Sequence, residues 1–245
     1  MKILAIETSS LSGGVALMDE DRLIAEYRLS VDVRHAERVM VSIDHLLKQS
    51  RTSIAELDGI AVSIGPGSFT GLRVGLATAK GLAIGAKKAL ILVPTLEAMA
   101  AAFPFAKPLI VPFIDAKKSE VYWAVFDSGN GPAQPVIKDA AGPPETALEC
   151  IAALERQGRR NLLFAGDGAV KYREAILDKF PKRTCFPPPA LSFPSAACVA
   201  EIGLRKCLKG ETTPPELAVP VYLRASTAEL KWAERRSQSA EVSNP

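Results

Sequence analysis

Histidine and paired cysteine, which often hold metal ions in proteins, are scarce in this chain. Its 245 residues include two histidines and four cysteines, and no two cysteines have C-x-x-C spacing. Peptidases of the H-E-x-x-H type need two histidines one helical turn apart, whereas His35 and His45 are ten residues apart. The scarcity of these residues predicts that the chain has no metal site and no disulfide. Of two enzymatic alternatives, a stand-alone kinase or ATPase and a metalloprotease, the metalloprotease is therefore the less favoured.

Long apolar runs and a strong net charge are also lacking. No apolar run approaches the roughly 20 residues of a membrane span, and the short run after Lys2 is below the length of a secretion signal. The net charge is only +3, and the basic residues form scattered pairs. This charge permits contact with RNA but predicts no RNA-recognition motif. With 48% hydrophobic residues, the chain is predicted to be a compact cytoplasmic protein.

Glycine, by contrast, is concentrated in residues 65–75, which lie between a β-branched run and a helical pattern. Gly65 and Gly67 permit positive φ angles, and Ser68 or Thr70 can cap the helix, whose exposed amides would attract an anion. Neither a Walker A loop nor a G-x-G-x-x-G motif is present. Gly65, Gly67 and Ser68 are therefore weak candidates for holding a nucleotide.

The helix that follows this loop has small residues along one side. Gly71, Gly75 and Ala79 recur at helical spacing, beside an apolar stripe that includes Leu72 and Leu76. Each glycine inside a helix costs roughly 0.8 to 1 kcal/mol relative to alanine, so close packing must offset that cost. The pattern predicts a packing face, and it leaves open whether the protein's own sheet or another chain covers that face.

A pattern of strand, turn and returning strand occurs twice in the chain. The apolar run at 2–6 ends in Glu7, and the run at 109–114 ends in Asp115, each before a polar turn and a second apolar run. Helical and strand patterns follow each hairpin. The repeat predicts an α/β protein built from two similar lobes.

The predicted lobes occupy residues 1–105 and 106–224, and a polar tail follows at 225–245. The segment rich in alanine and proline near 98–108 is the expected joint between the lobes. A helix at 195–209 falls in the second lobe, and its packing back onto the first lobe is an alternative that the pattern leaves open.

A stand-alone kinase or ATPase is the main enzymatic alternative. Phosphoryl transfer needs carboxylates for Mg²⁺ and loops that bind phosphate. Glu7, Asp115 and Asp167 follow predicted strands, but the turn at 116–119 contains no glycine. The pattern therefore predicts a weak nucleotide site at most, with these further candidate residues: Thr8, Ser9, Gly166, Asp167 and Gly168.

Four segments together resemble a known family. Residues 2–10, 65–75, 166–168 and 220–224 have the sequences and the order found in the TsaB family, also called YeaZ or glycoprotease-like proteins. The likeness extends from Met1 to about Arg224. It implies the duplicated actin-like ATPase fold, of the ribonuclease H-like type, that sugar kinases and heat-shock ATPases share.

The resemblance also implies a function without a catalytic residue. Members of this family bind TsaD, the threonylcarbamoyltransferase, and act with TsaE to form threonylcarbamoyladenosine beside the anticodon of ANN-reading tRNAs. A homodimer is expected when the protein is alone, and contact with tRNA is expected through the complex. The resemblance implies no definite cofactor, and ATP or ADP bound weakly or at a subunit interface is the candidate.

Two first-lobe helices would form the contact with TsaD if the resemblance holds. They are the helical patterns at 36–48 and 70–85. The expected interface residues are Val39, Met40, Ile43, Leu47, Gly71, Leu72, Arg73, Gly75, Leu76, Ala79 and Lys80, with Arg73 and Lys80 at the rim.

Overall fold

The computed structural model of the chain describes residues 1–20, 22–30, 35–155 and 160–224. The predicted tail at 225–245 and the side chain of His35 lie outside the described residues. Within the described part of the chain, no helix is long and apolar enough to cross a membrane.

The first half of the chain forms a five-stranded sheet with three helices. Its elements are β1 (Ile3–Glu7), β2 (Ser12–Met18), β3 (Leu23–Ser30), α1 (His35–Gln49), β4 (Gly59–Ser63), α2 (Phe69–Ala86), β5 (Ala89–Val93) and α3 (Thr95–Ala101). The strand order is β3-β2-β1-β4-β5. Strands β1, β2 and β3 pair antiparallel, whereas β1, β4 and β5 pair parallel.

The second half repeats this arrangement. Its elements are β6 (Leu109–Lys117), β7 (Glu120–Asp127), β8 (Gln134–Gly142), α4 (Pro144–Glu155), β9 (Leu162–Ala165), α5 (Asp167–Lys171), α6 (Arg173–Lys179), β10 (Thr184–Cys185) and α7 (Ala196–Leu208). The order β8-β7-β6-β9-β10 matches that of the first sheet, including which pairs are parallel. Two α/β lobes of one topology are therefore present.

The side chains of β1 alternate between the two faces of the first sheet, and helices cover both faces. Leu4 and Ile6 belong to an apolar cluster with α1 and α2, whereas Ile3 and Ala5 belong to a second cluster with α7. Side chains that alternate along a strand point to opposite faces, so both faces are buried.

Helix α7 completes the first lobe although it follows all the strands of the second. It packs against β1, β2 and β4, and a Cβ atom on Gly203 would lie 2.5 Å from the Cβ atom of Ala61. Helix α3 packs on the second sheet and also contacts α7. The two helices therefore join the lobes.

The carboxyl group of Glu7 is buried at the end of β1. It is fully inaccessible, and its Oε1 accepts hydrogen bonds from the backbone amide and the hydroxyl of Ser9. Its Oε2 has no partner among the described residues. Burial raises the pKa of Glu7, and the bonds from Ser9 only partly oppose this.

Replacement of Glu7 by glutamine tests this burial. Because the pKa is raised in the folded state, Glu7 contributes stability below its ordinary value of 4.5, and that contribution is lost as the pH rises through the folded pKa. As the pH rises above 4.5, we expect the free energy of unfolding of Glu7→Gln to increase relative to that of the wild type. Urea denaturation between pH 4 and 8 measures this difference.

Glu56→Gln is the matched control, because the stability contributed by Glu56 is expected to change with pH in the opposite direction. Hydrogen bonds from the backbone of Ser53 and from Lys2 lower the pKa of Glu56 to about 2. Its contribution is therefore present above pH 4.5 and is lost as the pH falls toward 2. Parallel pH profiles for the two variants would contradict the assignment of a raised pKa to Glu7.

Candidate functional site

The loop at residues 65–68 is held against the end of β1 by the protein's own backbone. The amide of Ser68 donates a hydrogen bond of 2.7 Å to the carbonyl oxygen of Ser9. A Cβ atom on Gly67 would lie 2.4 Å from the same oxygen, and the Ser68 hydroxyl accepts from the amide of Gly71. The amides of Ser68 and Gly71 at the start of α2 are therefore bound by groups of the same chain.

Gly65 is required for a different contact. Its φ angle is +117°, and a Cβ atom there would lie 2.5 Å from the carbonyl oxygen of Val221. The amide of Val221 in turn donates to the carbonyl of Ile64 at 2.7 Å. We call residues 212–224, the segment that follows α7, the strap.

The strap covers the beginning of α2. Tyr222 stacks on Phe69 with ring centroids 4.7 Å apart, and the guanidinium of Arg73 lies 3.9 Å above Phe69. Arg73 also donates to the Tyr222 hydroxyl at 3.0 Å, and Lys80 donates to the carbonyl of Ala218 at 3.0 Å. Both cations predicted at the rim of a partner surface thus bind the strap.

The strap also reaches the second lobe. Arg224 donates to the backbone oxygens of Ala116 and Lys117 and lies 3.0 Å from the carboxylate of Glu120. Together with the bond between Val221 and Ile64, these contacts tie the β6–β7 turn to the first lobe.

The segment Gly166-Asp167-Gly168 has a structural role at the end of β6. Asp167 Oδ1 accepts from the amides of Asp115 and Gly168, both at 2.9 Å. Cβ atoms on Gly166 and Gly168 would lie 2.3 Å and 2.7 Å from the carbonyl oxygen of Phe113. The glycines permit α5 to begin directly against β6, and Asp167 satisfies the amides there.

Asp115 is neutralised by two lysines. Its carboxylate lies 3.0 Å from Nζ of Lys171 and 3.1 Å from Nζ of Lys117. Burial raises the pKa of Asp115, but the hydrogen bonds from both lysines outweigh burial and lower it overall. Among the described residues, no group of three or more His, Cys, Asp or Glu side chains could hold a metal ion.

The small-residue side of α2, where the sequence predicted interface residues, packs against Thr8 of the same chain. A Cβ atom on Gly71 would lie 2.0 Å from the carbonyl oxygen of Thr8, and one on Gly75 would lie 2.1 Å from its hydroxyl oxygen. The Thr8 hydroxyl also donates to the carbonyl of Gly71 at 2.8 Å. The following interface candidates are buried within the chain: Val39, Ile43, Leu47, Gly71, Leu72, Gly75, Leu76 and Ala79.

A different side of the same two helices is exposed. Val41 and Ile84 keep 67% and 63% of their surface accessible, and Met40 keeps 49%. Ala77 and Gly81 are also exposed, and no atom of the described residues lies within 4 Å of a Cβ atom built on Gly81. We call these five residues the open face; they lie on α1 and α2, which contact each other.

Of the open face, the sequence identified only Met40 as an interface residue. A usable signal was present, because α2 has few polar residues on any side, and a surface helix of a monomer has a polar face. Val41 and Ile84 interrupt the expected polar sides of their helices.

Paired alanine substitutions distinguish the closed and open sides of α2. We expect Gly71→Ala to lower the free energy of unfolding by about 1 to 3 kcal/mol, because a backbone oxygen must move. Gly81→Ala, in the same helix, should raise it by up to about 1 kcal/mol through helix propensity. Urea denaturation measures both, and equal effects would show that Gly71 is not in close contact with Thr8.

Comparison with known proteins gives the relationships of this chain. A family model described as TsaD, tRNA N6-adenosine threonylcarbamoyltransferase, matches residues 29–232. The Bacillus subtilis tRNA threonylcarbamoyladenosine biosynthesis protein TsaB is 32% identical, with 96% of this chain and 99% of the relative covered. The TsaB of Escherichia coli is 30% identical, with 93% and 96% covered.

A solved structure agrees with these relatives. A Pseudomonas aeruginosa protein with similarity to the peptidase YeaZ superposes with a TM-score of 0.76 at 27% identity, covering 91% of this chain and 99% of that one. The duplicated actin-like α/β fold expected from the sequence is confirmed. The chain belongs to the TsaB family of tRNA threonylcarbamoyladenosine biosynthesis proteins.

Proposed function

We propose that this protein takes part in forming threonylcarbamoyladenosine in tRNA as a non-catalytic subunit that binds a TsaD-type protein. Membership in the TsaB family supports the pathway, since the curated relatives carry its name. The observation that carries the binding role is the open face, where apolar and small side chains on two adjacent helices have no partner within the described chain.

The composition of the open face suits a helix of another protein. Glycine at position 81 costs roughly 0.8 to 1 kcal/mol in helix propensity, and no described residue lies close enough for its packing to offset that cost. Small residues at 77 and 81 permit close approach of a second helix, while Met40, Val41 and Ile84 supply exposed apolar area on the same two helices. A helical pair packed against α1 and α2 is the contact that we propose.

The proposed assembly includes TsaE and brings tRNA to the complex through the TsaD-type subunit. In the absence of that subunit, a second copy of this chain would cover the open face. We propose no nucleotide site within the single chain. Its candidate loops instead bind the protein's own Ser9, Val221 and Phe113, so any ATP or ADP would lie between subunits.

A stand-alone kinase is less well supported by the geometry. Asp115 is paired with Lys117 and Lys171, Asp167 accepts two backbone amides, and Glu7 is buried. A carboxylate that is already neutralised or buried is poorly placed to hold Mg²⁺ with its phosphates.

Ala77→Arg tests the proposed surface. A long cation in the centre of an apolar helix contact is expected to reduce co-purification with a TsaD-type protein at least tenfold, because the charge would be desolvated without a partner. The same variant should abolish threonylcarbamoylation in a reaction reconstituted with TsaD, TsaE, ATP, threonine, bicarbonate and tRNA.

Ala153→Arg is the matched control, since Ala153 is an exposed alanine on α4, in the other lobe. It should leave association and modification unchanged, and both variants should unfold at the wild-type temperature. Full association of Ala77→Arg would exclude the open face, and ATP turnover by the protein alone would overturn the non-catalytic role.

A further inference from the structure

A second feature of the molecule is a cleft of about 620 Å³ between the lobes. Its first-lobe side is formed by the end of α7 and the start of α3, and its second-lobe side by β8 and the segment before it. Small-molecule sites have volumes of roughly 300 to 1,000 Å³ and occur preferentially between domains. Because α7 covers the opposite side of the first sheet from α1 and α2, this cleft is separate from the open face.

One part of the cleft carries two carboxyl groups. Glu97 comes from α3 and Asp139 from β8. Burial, and then the charge of Glu97, raise the pKa of Asp139 to about 6. Among the described residues, no cation forms an ion pair with Asp139, so its charge is left uncompensated at neutral pH. A cationic group placed beside it would remove that penalty.

The end of α7 supplies the opposite charge. Arg205, Lys206 and Lys209 line the cleft along this helix. Lys206 lies 3.9 Å from the carboxylate of Glu97 and donates to the carbonyl of Leu92, and Arg205 lies 3.1 Å from Glu201. Lys138 of β8 and Glu211 also line the cleft. Of the lining cations outside these ion pairs, Lys138 is next to Asp139 in sequence, so Lys209 is the one that we assign to an added anion.

The two sets of charges restrict the class of ligand. A polycation would meet the three cations of α7, and a polyanion would meet Glu97 and Asp139, so like-charge repulsion disfavours both. Pro94, Pro132 and Pro135 provide the accessible apolar surface of the cleft, whereas Phe126 and Ile202 are buried behind it. The lining therefore matches a molecule with an ammonium group, an apolar body and a carboxylate.

We propose that this cleft binds a zwitterionic molecule of short-peptide size. Its ammonium group would lie between Glu97 and Asp139, its carboxylate would contact Lys209, and its body would pack on Pro94, Pro132 and Pro135. Ligand binding of this kind would bridge the two lobes on the side opposite to the open face.

Three forms of one tripeptide test the proposal: Ala-Leu-Ala with free termini, its N-acetyl form and its C-terminal amide. Isothermal titration calorimetry on the full chain at pH 7.5 should show binding of the free form and about tenfold weaker binding of each blocked form, because each loses one charge-assisted contact. Equal affinities for all three forms, or no binding of the free form at about 1 mM, would overturn the proposal.

Two variants assign the ends of the ligand. Asp139→Asn should remove the preference for the free amine while keeping the preference for the free carboxylate, and Lys209→Ala should do the reverse. Asp178→Asn and Lys107→Ala, at exposed positions outside the cleft, are the matched controls and should keep both preferences. A loss of both preferences in either cleft variant, with unchanged unfolding temperature, would contradict the proposed orientation.

Discussion

The contact between Thr8 and the glycines of α2 is the constraint on which the first lobe depends. The backbone and hydroxyl oxygens of Thr8 lie where side chains would begin at Gly71 and Gly75. Helix α2 therefore packs directly on the end of β1, and the loop at 65–68 is brought within hydrogen-bonding distance of Ser9. The burial of Glu7 follows from the same approach, because loop and helix exclude water from the strand end.

The strap extends this arrangement to the second lobe. Val221 pairs with the backbone of Ile64, and Arg224 binds the β6–β7 turn. In both lobes, backbone amides near the end of the first strand and in the glycine turns thus donate hydrogen bonds to groups of the same chain. Such loops are positions where a two-lobed α/β protein could bind an anion, and their internal satisfaction is why the proposed function rests on outer surfaces.

The helices on the two faces of the first sheet expose different kinds of residue. Helices α1 and α2 on one face expose apolar and small residues, which suit a helical protein partner. On the other face, α7 contributes charged residues to a cleft shared with the second lobe. Helices α7 and α3 contact each other beside this cleft, and α3 also packs on the second sheet.

The local patterns of the sequence were sufficient for the elements and for their duplication. Apolar runs that end in Glu7 and Asp115 predicted two hairpins, and the strand, loop and helix around residues 65–75 are present as expected. The antiparallel pairing within each hairpin follows from these patterns, since each run is short and bounded by turn residues. The glycines of α2 were also correctly identified as a packing face.

What covers that face was decided only by the tertiary structure. Periodicity shows that Gly71 and Gly75 lie on one side of a helix, but it contains no information about which distant segment approaches that side. In the folded chain the segment is Thr8, 63 residues before Gly71. Likewise, α7 is placed on the first sheet and Asp139 opposite Glu97 by packing between segments far apart in sequence. The sequence by itself thus determined the elements and the need for close packing, because these depend on neighbouring residues. The tertiary structure decided which surfaces remain free, because that depends on contacts across the whole chain.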